Sequence, residues 1–186
     1  MPKAWNNWYH VTLHTYGSWL RGDPRGWRSR NHRVHVEGDY KHRPAPGTYE
    51  REYRNSLAIM KRPQVRIAAT ARQLVLSAVI EKLQRDRIEV LIGCLDGIHL
   101  HLLGRFNDHD PKQWLGRAKK HSSHILREQG IRTDAGGIWA KYSYAVPIVD
   151  RSHELSTFRY IERHSDRGAA LWSFKQSSLP PAVQVL

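Results

Sequence analysis

A short segment with two histidines constrains the fold of this chain most strongly. Residues 98–104 read Ile-His-Leu-His-Leu-Leu-Gly and follow an Asp-Gly pair at 96–97. Successive side chains of a β-strand point to opposite faces, so His99 and His101 share one face while the alternate residues point towards a core. Two imidazoles about 6–7 Å apart along a strand can bind the same divalent ion. The segment therefore predicts a half-buried strand with an open metal site.

The apolar pattern of the rest of the chain predicts an α+β fold. Strands are expected over residues 8–15, 88–95, 98–106 and 138–149, with a hairpin at the Asp-Gly pair. Helices are expected from about 64 to 85, from near Pro111 after an Asp108 or Asp110 cap, and from Ser152 or His153 to about 164. This order predicts a ferredoxin-like βαββαβ sandwich, an antiparallel sheet with helices on one face. The other face would be open to a ligand, and the tail, 173–186, would lie on the surface.

The charge balance favours an anionic partner. Thirty Lys and Arg face 17 Asp and Glu, a net charge of +13, and a polyanion such as nucleic acid is the natural counterpart. Periodicity is absent from 17 to about 47, within a long basic insertion at about 17–62 of a single domain, 1–186. Basic residues interleaved with aromatic ones suit single-stranded DNA, although a solvated insertion is the alternative. The candidate DNA-binding residues are Trp19, Arg21, Arg25, Trp27, Arg28 and Arg30, with Lys119 and Lys120 on the helix after Pro111.

The single cysteine and the absence of long apolar segments indicate the cellular compartment of the protein. Cys94 lies in an apolar run and has no second cysteine to pair with, so we expect it to be buried as a small apolar residue. No targeting segment follows the N-terminal Met, and no run is apolar enough to span a bilayer. The sequence predicts a cytoplasmic, nucleoid-associated protein that does not contact a membrane.

A tyrosine and a third histidine complete the candidate site. Tyr160 and His164 lie four residues apart on the last predicted helix and hence on one face of it. A metal could polarise a phosphodiester while the phenol attacks phosphorus. Tyr160 could instead be a core residue. Tyr142 and Tyr144, which alternate on a predicted strand, are expected to pack or to stack on bases.

These motifs resemble those of a known family. The His99-Leu100-His101 triplet is similar to the motif of the single-tyrosine HUH endonucleases, particularly the bacterial insertion-sequence transposases and their REP-associated relatives. The opening strand Tyr-His-Val, the hairpin into the two-histidine strand and the helix around Tyr160 follow the family's order. His164 departs from the pattern, because the family usually has Gln or Asn there, and the insertion is longer than in a minimal member.

The resemblance implies a mechanism and a set of partners. Tyr160 would cleave single-stranded DNA to give a 5′-phosphotyrosine and a free 3′-OH, and the reverse attack would rejoin the strand. His99, His101 and His164 would bind Mg²⁺ or Mn²⁺. Hairpin or repeat ends would be the DNA, and the protein would act as a homodimer. The alternative is a non-catalytic nucleic-acid-binding protein on the same sheet. Convergence of His99, His101 and Tyr160 would favour cleavage.

Overall fold

The computed structural model describes residues 4–24, 45, 47–107, 110–131 and 136–177. The chain divides into two compact units, one formed by Met1–Thr15 with Arg66–Leu186 and the other by Tyr16–Val65. Among the described residues, no helix is both long and apolar enough to cross a membrane. The strands are β1 (Trp8–Thr15), β2 (Glu89–Leu95), β3 (His99–Arg105), β4 (Trp139–Pro147) and β5 (Ala170–Ser173), and the helices are α1 (Glu50–Ala58), α2 (Ala69–Arg85), α3 (Pro111–Glu128), α4 (Arg151–Glu162) and the short α5 (Phe174–Ser177).

The larger unit is built on one antiparallel sheet of order β4-β1-β3-β2-β5. The predicted hairpin joins β2 to β3, which also pairs with β1. The first four strands thus adopt the ferredoxin-like arrangement, and β5 extends the sheet beside β2. The predicted α+β class is confirmed.

Two helices cover one face of the sheet. The buried side of α2 includes Val75, Leu76 and Ile80, and α2 packs against α3 and β2. A Cβ atom on Gly93 of β2 would lie 3.3 Å from Leu76 and 3.4 Å from Ile80. The absence of a side chain at Gly93 therefore lets α2 approach the sheet closely.

The fourth helix lies on the opposite face. Ile161 of α4 is buried in a cluster with Ile92, Cys94 and Leu103, which alternate with residues on the α2 side. Cys94 is buried as predicted. α4 contacts β2 and β3, so it covers part of the face that we expected to be free. Because Ile161 is anchored in this cluster, the neighbouring Tyr160 is held over the same face.

The sequence placed the main strands well and several boundaries less well. The helix predicted from about 64 begins at Ala69, because the preceding segment is extended and Ile67 N–H donates to the carbonyl of Gly97. The cap of α4 is Asp150, whose carboxylate accepts from His153 N–H, and neither Ser152 nor His153. Asp110 caps α3, one of the two predicted candidates. Both α1 and β5 were missed.

The smaller unit contains α1 and a glycine turn. Its ends meet where Val65 N–H donates to the carbonyl of Tyr16. Gly22 has φ of +80°, and a Cβ atom there would lie 2.5 Å from the backbone nitrogen of Tyr53. Only glycine suits both the left-handed conformation and this close approach. The aperiodic Gly-Asp-Pro sequence at 22–24 is thus an ordered turn.

Candidate active site

The pairing of β1 with β3 assembles a face rich in histidine. Thr12 lies opposite His101, and His14 lies opposite His99. The imidazole centroids of His99 and His101 are 6.5 Å apart, and those of His14 and His99 are 4.9 Å apart. As predicted, His99 and His101 share one face. The alternation of β1 brings His10, Thr12 and His14 to the same face.

The hairpin turn also orients His99. One carboxylate oxygen of Asp96 accepts hydrogen bonds from the N–H groups of Ile98 and His99, each at 2.6 Å. The other oxygen lies 3.3 Å from His99 Nδ1. Burial alone would raise the pKa of Asp96, but the hydrogen bond from the His99 side chain and the two backbone N–H groups hold that pKa well below its usual value. Asp96 is therefore ionised, and its charge favours a proton on His99 Nδ1.

His101 sits deeper in the sheet. Its Nδ1 is 3.2 Å from His10 Nε2 and 3.3 Å from Thr12 Oγ1. Burial, with smaller contributions from His10 and His164, lowers the pKa of His101 to about 3. The His10 pKa falls to about 4, mainly through burial. Both rings are thus neutral at physiological pH, and neutral imidazole is the form that binds metals.

α4 brings the predicted nucleophile over this strand. The Tyr160 ring is 5.5 Å from the His101 ring and 5.0 Å from the His164 ring, between centroids. The His164 ring is itself 4.9 Å from that of His101. Tyr160 is 42% exposed, while its neighbour Ile161 is fully buried. The core position therefore belongs to Ile161, and the phenol of Tyr160 remains accessible at the site.

The Tyr160 phenol is protonated in this environment. Burial, followed by the nearby Cys94, raises its pKa, and Arg167 only partly opposes the shift. No described residue hydrogen-bonds the Tyr160 hydroxyl. The oxygen is thus available to a substrate, and a nucleophilic attack by it would require loss of its proton.

The donor chemistry of the site fits a divalent metal. A metal-binding histidine usually engages its other ring nitrogen with a carboxylate or another polar group. His99 does so through Asp96, and His101 does so through Thr12 and His10. In both His99 and His101, Nε2 is therefore the ring nitrogen left to bind a metal. In the described part of the chain, no three His, Cys, Asp or Glu side chains form a ready-made metal cluster, so His99, His101 and His164 would have to draw together around the ion.

The predicted DNA-binding residues are placed unevenly. Arg25, Trp27, Arg28 and Arg30 lie outside the described residues. Arg21 and Trp19 are exposed in the smaller unit, and Lys120 is exposed on α3. Lys119 is half-buried, and its ammonium donates to the carbonyl of Lys141 at 3.0 Å, which joins α3 to β4. Burial lowers its pKa.

The sequence matches a known protein family. The family described as "Transposase IS200 like" matches residues 49–164, which include His99, His101, Tyr160 and His164. The chain belongs to the IS200-like transposase family. This membership makes DNA transposition its class of activity.

The chain is also similar to a solved structure. A solved structure described as "Structure of the REP associates tyrosine transposase bound to a REP hairpin" aligns with a TM-score of 0.49 at 11% identity, over 90% of this chain and 72% of that one. No curated protein matches the sequence.

Proposed function

We propose that this IS200-like transposase cleaves and rejoins single-stranded DNA through a covalent bond to Tyr160. The observation that carries the proposal is the position of Tyr160, 5.5 Å from His101 and 5.0 Å from His164 between ring centroids. A phenol beside neutral imidazoles is the arrangement that a metal-assisted tyrosine nucleophile requires. The non-catalytic alternative does not explain why the phenol lies beside the imidazoles of His101 and His164.

The reaction exchanges one phosphodiester for another. The Tyr160 oxygen attacks phosphorus, the bond from phosphorus to the 3′-oxygen breaks, and the phenolic proton is lost while the departing oxygen gains one. The products are a 5′-phosphotyrosine and a free 3′-OH. Attack by a 3′-OH on the phosphotyrosine reverses these steps and regenerates the phenol. The number of phosphodiester-type bonds is unchanged, so no nucleotide cofactor is needed.

His99, His101 and His164 would hold a divalent ion, with Mg²⁺ or Mn²⁺ the expected metals. When bound, the ion supplies positive charge that polarises the phosphodiester and stabilises the charge that develops on its oxygens. The residues around the histidines set their chemistry. Asp96 fixes the orientation of His99, while burial keeps His101 neutral. Arg167, which lowers the pKa of Tyr160 against the effect of burial, favours loss of the phenolic proton.

The direct test is detection of the covalent intermediate. Incubation of the protein with a mixed-sequence single-stranded oligonucleotide carrying a 3′ label and Mn²⁺ should give a labelled band that survives denaturation and disappears after protease treatment. Chelation of the metal should prevent its formation, and the duplex form should be a poor substrate. A protein that binds the labelled strand tightly but never forms the adduct with Mg²⁺ or Mn²⁺ would contradict the proposal and favour a binding protein.

We further propose that the basic aromatic insertion binds the DNA strand. The double variant Arg28→Glu and Arg30→Glu should weaken single-stranded DNA binding and lower the salt dependence, by about 0.7 in the slope of log K against log salt for each phosphate that the protein no longer neutralises. Fluorescence anisotropy across a salt series measures both. The control is Lys112→Glu with Arg127→Glu on exposed positions of α3, which changes the net charge equally. Equal effects of the two pairs would show that the insertion contributes to binding only through the net charge of the protein.

A further inference from the structure

An exposed aromatic strip runs along the outer strand of the sheet. On β4, Tyr142 is 72% exposed, Tyr144 is 57% exposed and Val146 is 43% exposed. These three residues, here the tyrosine strip, alternate along the strand and therefore point to one face. In the described part of the chain, nothing buries these three side chains. Large apolar surface left in contiguous contact with water is typical of a binding site.

The tyrosine strip shares its face with the active site. Tyr144 lies opposite Thr12, and Val146 lies opposite His10. Residues directly opposite on paired strands project from the same side of a sheet. Since Thr12 lies in turn opposite His101, Tyr144 is two strand spacings, about 10 Å, from the His101 position. The strip thus begins within reach of the nucleotides that flank a phosphate bound at Tyr160.

The helix that carries Tyr160 leaves the strip open. α4 packs on β2 and β3, and the Tyr160 ring reaches the His10 ring of β1 at 5.8 Å between centroids. The sheet surface beyond that point, towards β4, is bordered by α4 on one side and by the tyrosine strip on the other. Between them, β1 presents His10 and Thr12 on this face.

Positive charge accompanies the strip. The Lys141 ammonium lies 5.5 Å from the centroid of the Tyr142 ring. Aromatic rings beside cations suit a single strand, because the rings stack on bases and the cations attract phosphates. A second copy of this chain is a poorer occupant, because each copy carries a net charge of +13 and two such surfaces repel.

We propose that the tyrosine strip is a base-stacking site for single-stranded DNA, which holds the nucleotides next to the scissile phosphate. The inference rests on the proposed function, because it takes the strand to be bound at Tyr160. Stacking requires the rings and not their hydroxyl groups, and it tolerates any base. The strip therefore supplies affinity and positions the strand without reading its sequence.

The test compares ring loss with hydroxyl loss in a background that cannot cleave. The background is the full-length Tyr160→Phe protein in the presence of Mg²⁺. One variant adds Tyr142→Ala and Tyr144→Ala to it, and the other adds Tyr142→Phe and Tyr144→Phe. Affinity is measured by fluorescence anisotropy for a mixed-sequence single-stranded oligonucleotide and for an abasic strand of the same length. The alanine pair should lose at least about tenfold in affinity for the normal strand, while the phenylalanine pair retains it. The abasic strand should bind all variants equally.

Three results would overturn the inference. They are an unchanged affinity of the alanine pair, an equal loss on the abasic strand, or a change of oligomeric state in sedimentation that accounts for the loss and assigns the strip to an interface between copies. A failure of the proposed function is separately visible. In that case wild-type protein forms no covalent adduct, whatever the binding data show.

Discussion

Tyr160→Phe should abolish the covalent protein–DNA adduct while the fold and the DNA affinity are retained. The substitution removes only the attacking oxygen, and no described residue hydrogen-bonds that oxygen. Because the ring is partly exposed and the cluster is anchored by Ile161, the thermal unfolding midpoint should shift little. We expect loss of adduct below detection in the denaturing gel assay, with binding by anisotropy within about twofold of wild type, since the charged and stacking surfaces are intact.

The matched controls for this result are Tyr142→Phe and Tyr144→Phe. Both residues are exposed tyrosines on β4, so each loses the same atom at a different position. Each should form the adduct at the wild-type rate. If the Tyr160→Phe protein still forms the adduct and one of these variants does not, Tyr160 is not the nucleophile. The tyrosine whose substitution prevents the adduct is then the nucleophile.

His99→Ala and His101→Ala should each reduce cleavage by at least about a thousandfold, through loss of the metal and not of the nucleophile. Each substitution removes a strand imidazole with a fixed partner, Asp96 for His99 and Thr12 for His101. Titration calorimetry with Mn²⁺ should show the loss of binding directly. His164→Ala should weaken metal binding, and His164→Gln should recover part of it, because an amide oxygen can also coordinate Mg²⁺ or Mn²⁺.

The control histidine is His124, which lies exposed on α3 beside Glu128. His124→Ala should change neither metal affinity nor cleavage. Normal Mn²⁺ binding by the His101→Ala protein would remove this residue from the ligand set. A cleavage defect of that variant would then have to come from the positions of its neighbours His10 and Tyr160.

Local sequence patterns predicted most of the fold and of the candidate site. The two-residue period of the strand predicted that His99 and His101 share a face, and the four-residue spacing predicted that Tyr160 and His164 do so. The first follows from strand geometry alone. The helix predicted to run to about 164 ends at Glu162, but Arg163 and His164 keep helical backbone angles, so His164 still lies on the side of Tyr160. The four-residue β5 was missed because its pairing with β2 is a long-range interaction that leaves no periodic signal in so short a segment. The missed α1 is rich in charged residues and buries none of its side chains, so its sequence reads as part of the basic insertion.

The inner partners of the histidines were harder to predict. His10 and Thr12 alternate with buried residues on β1, which suggested a shared face but not a function. Their contact with His101 depends on the register of β1 against β3. A shift of one residue would turn both away. The sequence reveals the alternation within each strand, but the register between strands is set by packing of the whole sheet.

The cluster of Ile161 with Ile92, Cys94 and Leu103 has a consequence for how this protein can vary. It joins the helix that bears the proposed nucleophile to the strands that bear or flank the histidines, so the spacing between Tyr160 and the histidines depends on the shapes of four buried side chains. Close-packed interiors respond to a change of one methylene group. Substitutions at these apolar positions therefore re-aim the tyrosine without touching DNA or metal. In such a protein, activity can drift or be lost through residues that take no part in the chemistry.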